Sequence, residues 1–92
     1  MNIDQAVEGF LEAQAGDVSV TTRKWYRGRL SAFAVFAGDI PITDVTPIVL
    51  RSYRAALVDR GLSPHSVQGH QRALRRFFRR LLTAGAIDAN PA

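Results

Sequence analysis

The sequence lacks the residues on which several classes of functional site depend. It has no cysteine, which excludes disulfides and thiolate metal sites, and its two histidines are too few to hold a metal by themselves. No stretch approaches the roughly 20 apolar residues of a membrane span, and no basic-then-apolar leader opens the chain. A phosphate-binding glycine loop, a carboxylate pair and a nucleophile–base arrangement are also missing. We therefore expect no cofactor, no metal, no small-molecule substrate, no membrane contact and no enzyme activity of this chain alone, and a cytoplasmic location.

Acidic residues are absent from the two segments in which basic residues cluster, so the charge is unevenly spread along the chain. The chain carries 8 acidic and 12 basic residues, for a net charge of +4. Residues 1–22 contain no base, whereas residues 23–29 hold four bases and residues 72–80 hold five. Such asymmetry is typical of an electrostatic footprint for a polyanion. The alternative is that the arginines only solubilise two amphipathic helices.

Apolar periodicity predicts four helices and no strand, over residues 3–15, 20–37, 47–60 and 64–84. Ser63-Pro64 and Thr46-Pro47 each pair an N-cap with a proline at the first helical position, and Gly85 is the expected left-handed residue after the fourth helix. Residues 39–45 read as an extended connector, because Pro41 disfavours a strand. The prediction is one all-α domain over residues 1–92, a compact four-helix bundle with no sheet.

The two basic helices each have a polar face that includes a glycine. In the fourth helix the core face is predicted to carry Val67, Leu74, Phe78 and Leu81, with Gly69 opposite them among the arginines. In the second, Tyr26, Leu30, Phe33 and Ala37 face inward, with Gly28 on the outer face. Gly69 is explained by the close approach of another backbone, such as a phosphate chain, or by simple drift. Trp25 lies on the flank of its helix, as a packed aromatic or as a surface aromatic that meets a sugar or a thymine methyl.

An ordered set of motifs then resembles a known family. The set consists of Ser19-x-x-Thr22-x-x-x-Tyr26-x-x-x-Leu30-x-x-Phe33, Asp44-Val45-Thr46, Leu57-x-x-x-Gly61-Leu62-Ser63-Pro64-x-Ser66-Val67, Ala73-Leu74-Arg75-x-Phe77-Phe78-x-x-Leu81 and Gly85-x-Ile87-x-x-Asn90-Pro91. It resembles the N-terminal core-binding domain of tyrosine recombinases, the phage-integrase family. The resemblance covers essentially the whole chain. It implies a SAM-like bundle that clamps one side of double-stranded DNA, with the catalytic domain following Pro91 and absent here, as in an excised fragment.

The resemblance also implies which residues contact DNA, on the second and fourth helices. Carried over by position, they are Thr22, Lys24, Trp25, Arg27, Gly28, His65, Ser66, Gln68, Gly69, Arg72, Arg76 and Arg79. Other protomers of the recombinase are implied as partners, as a tetramer in the full-length synapse on prokaryotic nucleoid DNA. Two residues depart from the family pattern: Gln71 replaces an apolar residue and Arg23 an aliphatic one. The alternatives are a SAM-like protein-interaction module and a helix-turn-helix DNA-binding regulator.

Overall fold

The structure, a computed structural model that describes residues 1–92, contains four α-helices and no sheet. They are α1 (Ile3–Ala13), α2 (Val20–Ala37), α3 (Pro47–Asp59) and α4 (Pro64–Thr83). The first, third and fourth helices end one or two residues earlier than predicted. No helix is long and apolar enough to cross a membrane.

Side-chain caps begin all four helices, because the first amides of a helix have no partner within it. At α1, Asn2 and Gln5 form a capping box, with bonds of 2.8 and 2.9 Å. The hydroxyls of Ser19, Thr46 and Ser63 accept a bond from the third amide of α2, α3 and α4, respectively. The predicted caps of the third and fourth helices are thus confirmed.

Glycines in the left-handed conformation end α3 and α4. Gly61 and Gly85 have φ angles of 85° and 77°. Beyond each glycine, the next amide bonds back into the last turn, Leu62 to the Leu57 carbonyl and Ala86 to the Leu81 carbonyl. This pattern is a Schellman motif, and it sets the direction in which the chain leaves each helix. The tight turn after Gly61 leads directly into α4.

The connector between α2 and α3 is not simply extended, which corrects the prediction. It contains a 3-10 turn, Ile42–Asp44, and the side chains of Ile42 and Val45 are buried. The amide of Ile42 also donates to the Met1 carbonyl at 2.9 Å, which ties the connector to the start of the chain. The connector therefore forms part of the core.

One core of 19 buried apolar residues joins all four helices. Its aromatic rings meet edge to face: the centroids of Phe10 and Phe77 are 5.6 Å apart, and those of Phe33 and Tyr53 are 5.1 Å apart. Helix α4 packs against each of the other three helices. It therefore buries a wider face than predicted, in which Phe77 and Gly69 join the expected residues.

Candidate nucleic-acid interface

Helix α4 exposes a continuous row of cations along its outer side. We call Arg72, Arg75, Arg76 and Arg79 the arginine ridge, and all four side chains are exposed. His65 and Gln68 are exposed at the N-terminal end of the same side. Ser66 is half-buried, and its amide and hydroxyl both bond to the Ser63 hydroxyl at 3.2 Å. The ridge extends over residues 72–79, which is about 10 Å along the helix axis.

No carboxylate neutralises the arginine ridge. The protein has a single ion pair, in which Arg27 of α2 donates to Glu8 of α1 at 3.1 Å, and both side chains are about half exposed. Such an exposed pair contributes little to stability. Four uncompensated guanidinium groups on one helix create a local positive potential suited to an anionic ligand.

The residues of α2 that are predicted to contact DNA differ in how free they are to do so. Lys24 and Gly28 are exposed, and a side chain at Gly28 would meet no atom within 4 Å. Thr22 is also exposed; its amide donates to the Ser19 hydroxyl at 3.1 Å and its own hydroxyl accepts from Ser19 at 2.9 Å, so the O–H of Thr22 can still donate to an external anion. Arg27 is paired with Glu8, so it reaches an external anion only by giving up that partner.

Helices α2 and α4 meet at a cluster that we call the α2–α4 junction: Trp25, Arg29, Gly69 and Arg72. The guanidinium carbon of Arg29 lies 4.2 Å from the centre of the Trp25 ring, and that of Arg72 lies at 5.9 Å. Trp25 is half-buried and packs edge to face on Tyr26 at 4.9 Å. Trp25 is therefore packed on one side, and contact of its exposed part with a sugar stays a prediction. Its exposed part still borders an open pocket with Thr21, Thr22 and Arg72.

Gly69 is not on the outer face of α4, where the sequence had placed it. It is buried, and a Cβ built there would lie 3.4 Å from Nε of Arg29 and 3.7 Å from Cζ2 of Trp25. The neighbour that comes close to this glycine is therefore α2 of the same chain. The prediction of an exposed Gly69 was wrong, and we leave this residue out of the interface.

Three further arginines, Arg29, Arg51 and Arg54, were not among the predicted contact residues. Arg29 lies in the charged segment 23–29, but nothing in the sequence marks it as the partner of Trp25. Arg51 and Arg54 of α3 line a groove with Gln71 and Arg75, so a second patch of positive charge flanks the ridge. Their i, i+3 spacing on one predicted helix is a signal that a wider charge count would have found.

Arg23, which departs from the family pattern as Gln71 does, has a structural role. Its Nε donates to the carbonyl of Leu11 at 2.9 Å. Leu11 is in the last turn of α1, where a positive charge is favourable, and its carbonyl also accepts from the Gln14 amide at 3.2 Å. Arg23 therefore ties α2 to the end of α1, and it is half-buried there.

The surroundings of one histidine, His70, lower its pKa. His70 of α4 lies with Nδ1 3.4 Å from the hydroxyl of Tyr53. Burial lowers the pKa of His70, and the charges of Arg29 and Arg60 lower it further. Burial also raises the pKa of Tyr53, with Arg60 opposing. No group of three or more His, Cys, Asp or Glu side chains is placed to hold a metal.

Comparison with known proteins identifies the family of this chain. Residues 7–85 match the family described as "Phage integrase, N-terminal SAM-like domain". The chain is also 36% identical over 89 residues to the tyrosine recombinase XerC of Chromohalobacter salexigens, covering 94% of this chain but 30% of that protein. No solved structure matches. The chain thus belongs to the phage-integrase N-terminal SAM-like domain family, as the sequence motifs predicted.

Proposed function

We propose that this domain binds duplex DNA through α2 and α4, as one half of the clamp of a tyrosine recombinase. The observation that carries the proposal is the arginine ridge, which is exposed along α4 and has no carboxylate partner. A helix with its side chains is about 10–12 Å wide, and the major groove of B-DNA is about 12 Å wide. Helix α4 therefore fits into the groove with its ridge toward the base edges and the phosphates on either side.

The proposed contacts divide into positioning and reading. Arg76 and Arg79 contact phosphates, and so fix the register of the domain without reading sequence. Gln68 and Lys24 are long enough to reach base edges, where lysine pairs with guanine and glutamine with adenine. Arg72 contacts a phosphate, as Arg76 and Arg79 do. The remaining proposed contacts are positional and lie at the edges of the interface: Thr22, Trp25, Arg27, Gly28, His65 and Ser66.

Recombination chemistry, on this proposal, belongs to a separate catalytic domain. The related XerC is a tyrosine recombinase, and this chain corresponds to under a third of its length. The SAM-like domain would hold the DNA while the catalytic domain breaks and rejoins the strands. Other recombinase protomers on the same DNA, as a tetramer in the synapse, are its proposed protein partners.

A salt titration with matched charge reversals tests the proposal. If about six phosphates are neutralised, the logarithm of affinity falls with the logarithm of salt concentration at a slope near −5. Between about 50 and 200 mM salt, the affinity for a labelled duplex should then drop about a thousandfold. A chain that binds no duplex at low salt, or binds with no salt dependence, rules the proposal out.

The reversals separate a specific face from general positive charge. Arg72→Glu with Arg76→Glu changes the ridge, and Arg51→Glu with Arg54→Glu makes the same charge change on α3. The ridge pair should lose far more affinity, and neither pair should melt much lower, because all four side chains are exposed. Equal losses would mean that DNA is attracted only by net charge. Self-association in sizing without any response to DNA would instead favour the protein-interaction module.

A further inference from the structure

Arg29 sits in an environment that is unusual for a cation in a basic, DNA-facing helix. It is half-buried, its guanidinium lies against the Trp25 ring, and its Nη1 donates to the Trp25 carbonyl at 3.3 Å. No carboxylate lies within reach. Its Nε is buried and has no hydrogen-bond partner. Through Nε, at least, Arg29 cannot donate to an external phosphate.

The space for Arg29 is provided by Gly69. The position where a Cβ would stand is 3.4 Å from Nε of Arg29 and 3.7 Å from Cζ2 of Trp25, so these side chains lie in contact with the backbone of α4 at Gly69, with room for no more than a methyl group between them. The guanidinium in turn covers the Trp25 ring, since planar cations stack well on aromatic faces. Gly69, Arg29 and Trp25 therefore form one packed unit, which joins α4 to α2.

The exposed edge of this unit is a wall of an open pocket. The pocket is lined by Thr21, Thr22, Trp25, Tyr26 and Arg72. Its lining therefore includes two threonines, one arginine and two aromatic residues. That combination matches one nucleotide unit of a DNA strand: Arg72 and the threonines suit the phosphate oxygens, and the rings suit the deoxyribose.

We infer that Arg29 is a positioning residue, which holds Trp25 so that the pocket beside it receives one phosphate and its sugar from duplex DNA. The inference rests on the proposed function and assigns Arg29 a role distinct from that of Arg72. Arg72 touches the phosphate directly. Arg29 acts only through Trp25.

The chain has a single tryptophan, so fluorescence excited where its two tyrosines do not absorb reports on Trp25 alone. We would measure acrylamide quenching of Trp25 in the free protein, and duplex affinity at several salt concentrations, for wild type, Arg29→Met, Arg29→Lys and Arg72→Met. Arg29→Met keeps an apolar stem but removes the stacked plane. Arg29→Lys keeps the charge and removes the plane, so it isolates stacking from charge.

Both Arg29 variants should make Trp25 more accessible to acrylamide and weaken DNA binding about fivefold, with the salt slope unchanged. Arg72→Met should lower the magnitude of the slope by about one, as expected for the loss of a phosphate contact, and leave quenching in the free protein nearly unchanged. Thermal melts confirm folding, and if Arg29→Met does not fold, Arg29→Lys decides.

Three results would overturn the inference. Wild-type affinity in both Arg29 variants would show that Trp25 needs no support. A slope reduced by about one in Arg29→Met would make Arg29 a direct phosphate ligand. A wild-type chain that binds no duplex would remove the proposed function, and this inference with it. Binding by wild type with no effect of Arg29 would leave the proposed function standing.

Discussion

Replacing Gly69 by alanine should stabilise the protein and leave DNA binding unchanged. Gly69 lies inside α4, where alanine is favoured over glycine by about 0.5–1 kcal/mol. The added methyl carbon would lie 3.4 Å from Nε of Arg29 and 3.7 Å from Trp25, which are ordinary contact distances. Because about 1 kcal/mol shifts the melting temperature of a domain this small by about 4–8 °C, we expect a rise of roughly 2–8 °C.

Two other helix-interior glycines provide matched variants. A Cβ at Gly28 of α2 or at Gly9 of α1 would meet no atom within 4 Å, and both positions are exposed. Gly28→Ala and Gly9→Ala should therefore raise the melting temperature by a similar amount. Only Gly28 lies on the proposed DNA face. Its methyl group should hinder the approach of a phosphate and weaken binding about fivefold, the equivalent of one lost contact of about 1 kcal/mol.

The assay combines thermal melting with titration of one labelled duplex, on all three variants and wild type. The reasoning would be refuted if Gly69→Ala weakened binding as much as Gly28→Ala does. DNA would then approach α4 at Gly69, and α2 could not lie where the structure places it. A lower melting temperature for Gly69→Ala would show that Arg29 has no room to accept the methyl group.

Two further predictions concern the adjacent residues Arg23 and Lys24, which have different roles, and the titration of His70. Arg23→Ala should lower the free energy of unfolding by about 1–2 kcal/mol, because it loses a charge-assisted bond to the end of α1, and should leave DNA affinity unchanged. Lys24 is exposed, so Lys24→Ala should weaken DNA binding and leave the melting temperature unchanged. The lowered pKa of His70 means that the unfolded chain binds more protons than the folded one, so the stability it contributes is present above pH 6.5 and is lost as pH falls. Melts at pH 7 and pH 5 should show a smaller fall in His70→Gln than in wild type, while the control His65→Gln on the exposed side of the same helix should fall as wild type does.

The helices were predictable because their signals are local. Ser63 and Pro64 begin α4 as predicted, and Gly85 follows its end with the expected positive φ. A cap needs only a hydroxyl near a free amide, and a C-terminal glycine needs only its own backbone freedom. The predicted ends were still one or two residues too long in three helices, because terminal turns fray and tighten.

The face of Gly69 was not predictable in the same way. Projection of α4 at 100° per residue gives the angle of each side chain, but not the directions from which the other helices approach. Three helices pack around α4, so its buried sector extends past Phe77 to Gly69. The role of Arg29 was not predicted for the same reason, because its contact with Gly69 of α4 depends on how α2 and α4 cross. The DNA contacts themselves stay a prediction.

An arginine at position 29 is better explained by DNA binding than by the stability of the fold. A half-buried guanidinium without a carboxylate loses hydration that stacking on Trp25 only partly replaces. It also adds positive charge near His70, which lowers the pKa of that histidine. An aliphatic residue would fill the same space between Trp25 and Gly69 without either cost, because it has no charge to desolvate. Arg29→Met should therefore melt no lower than wild type while it binds DNA more weakly. If it melted far lower, Arg29 would be needed for the fold, and a role limited to the interface would be untenable.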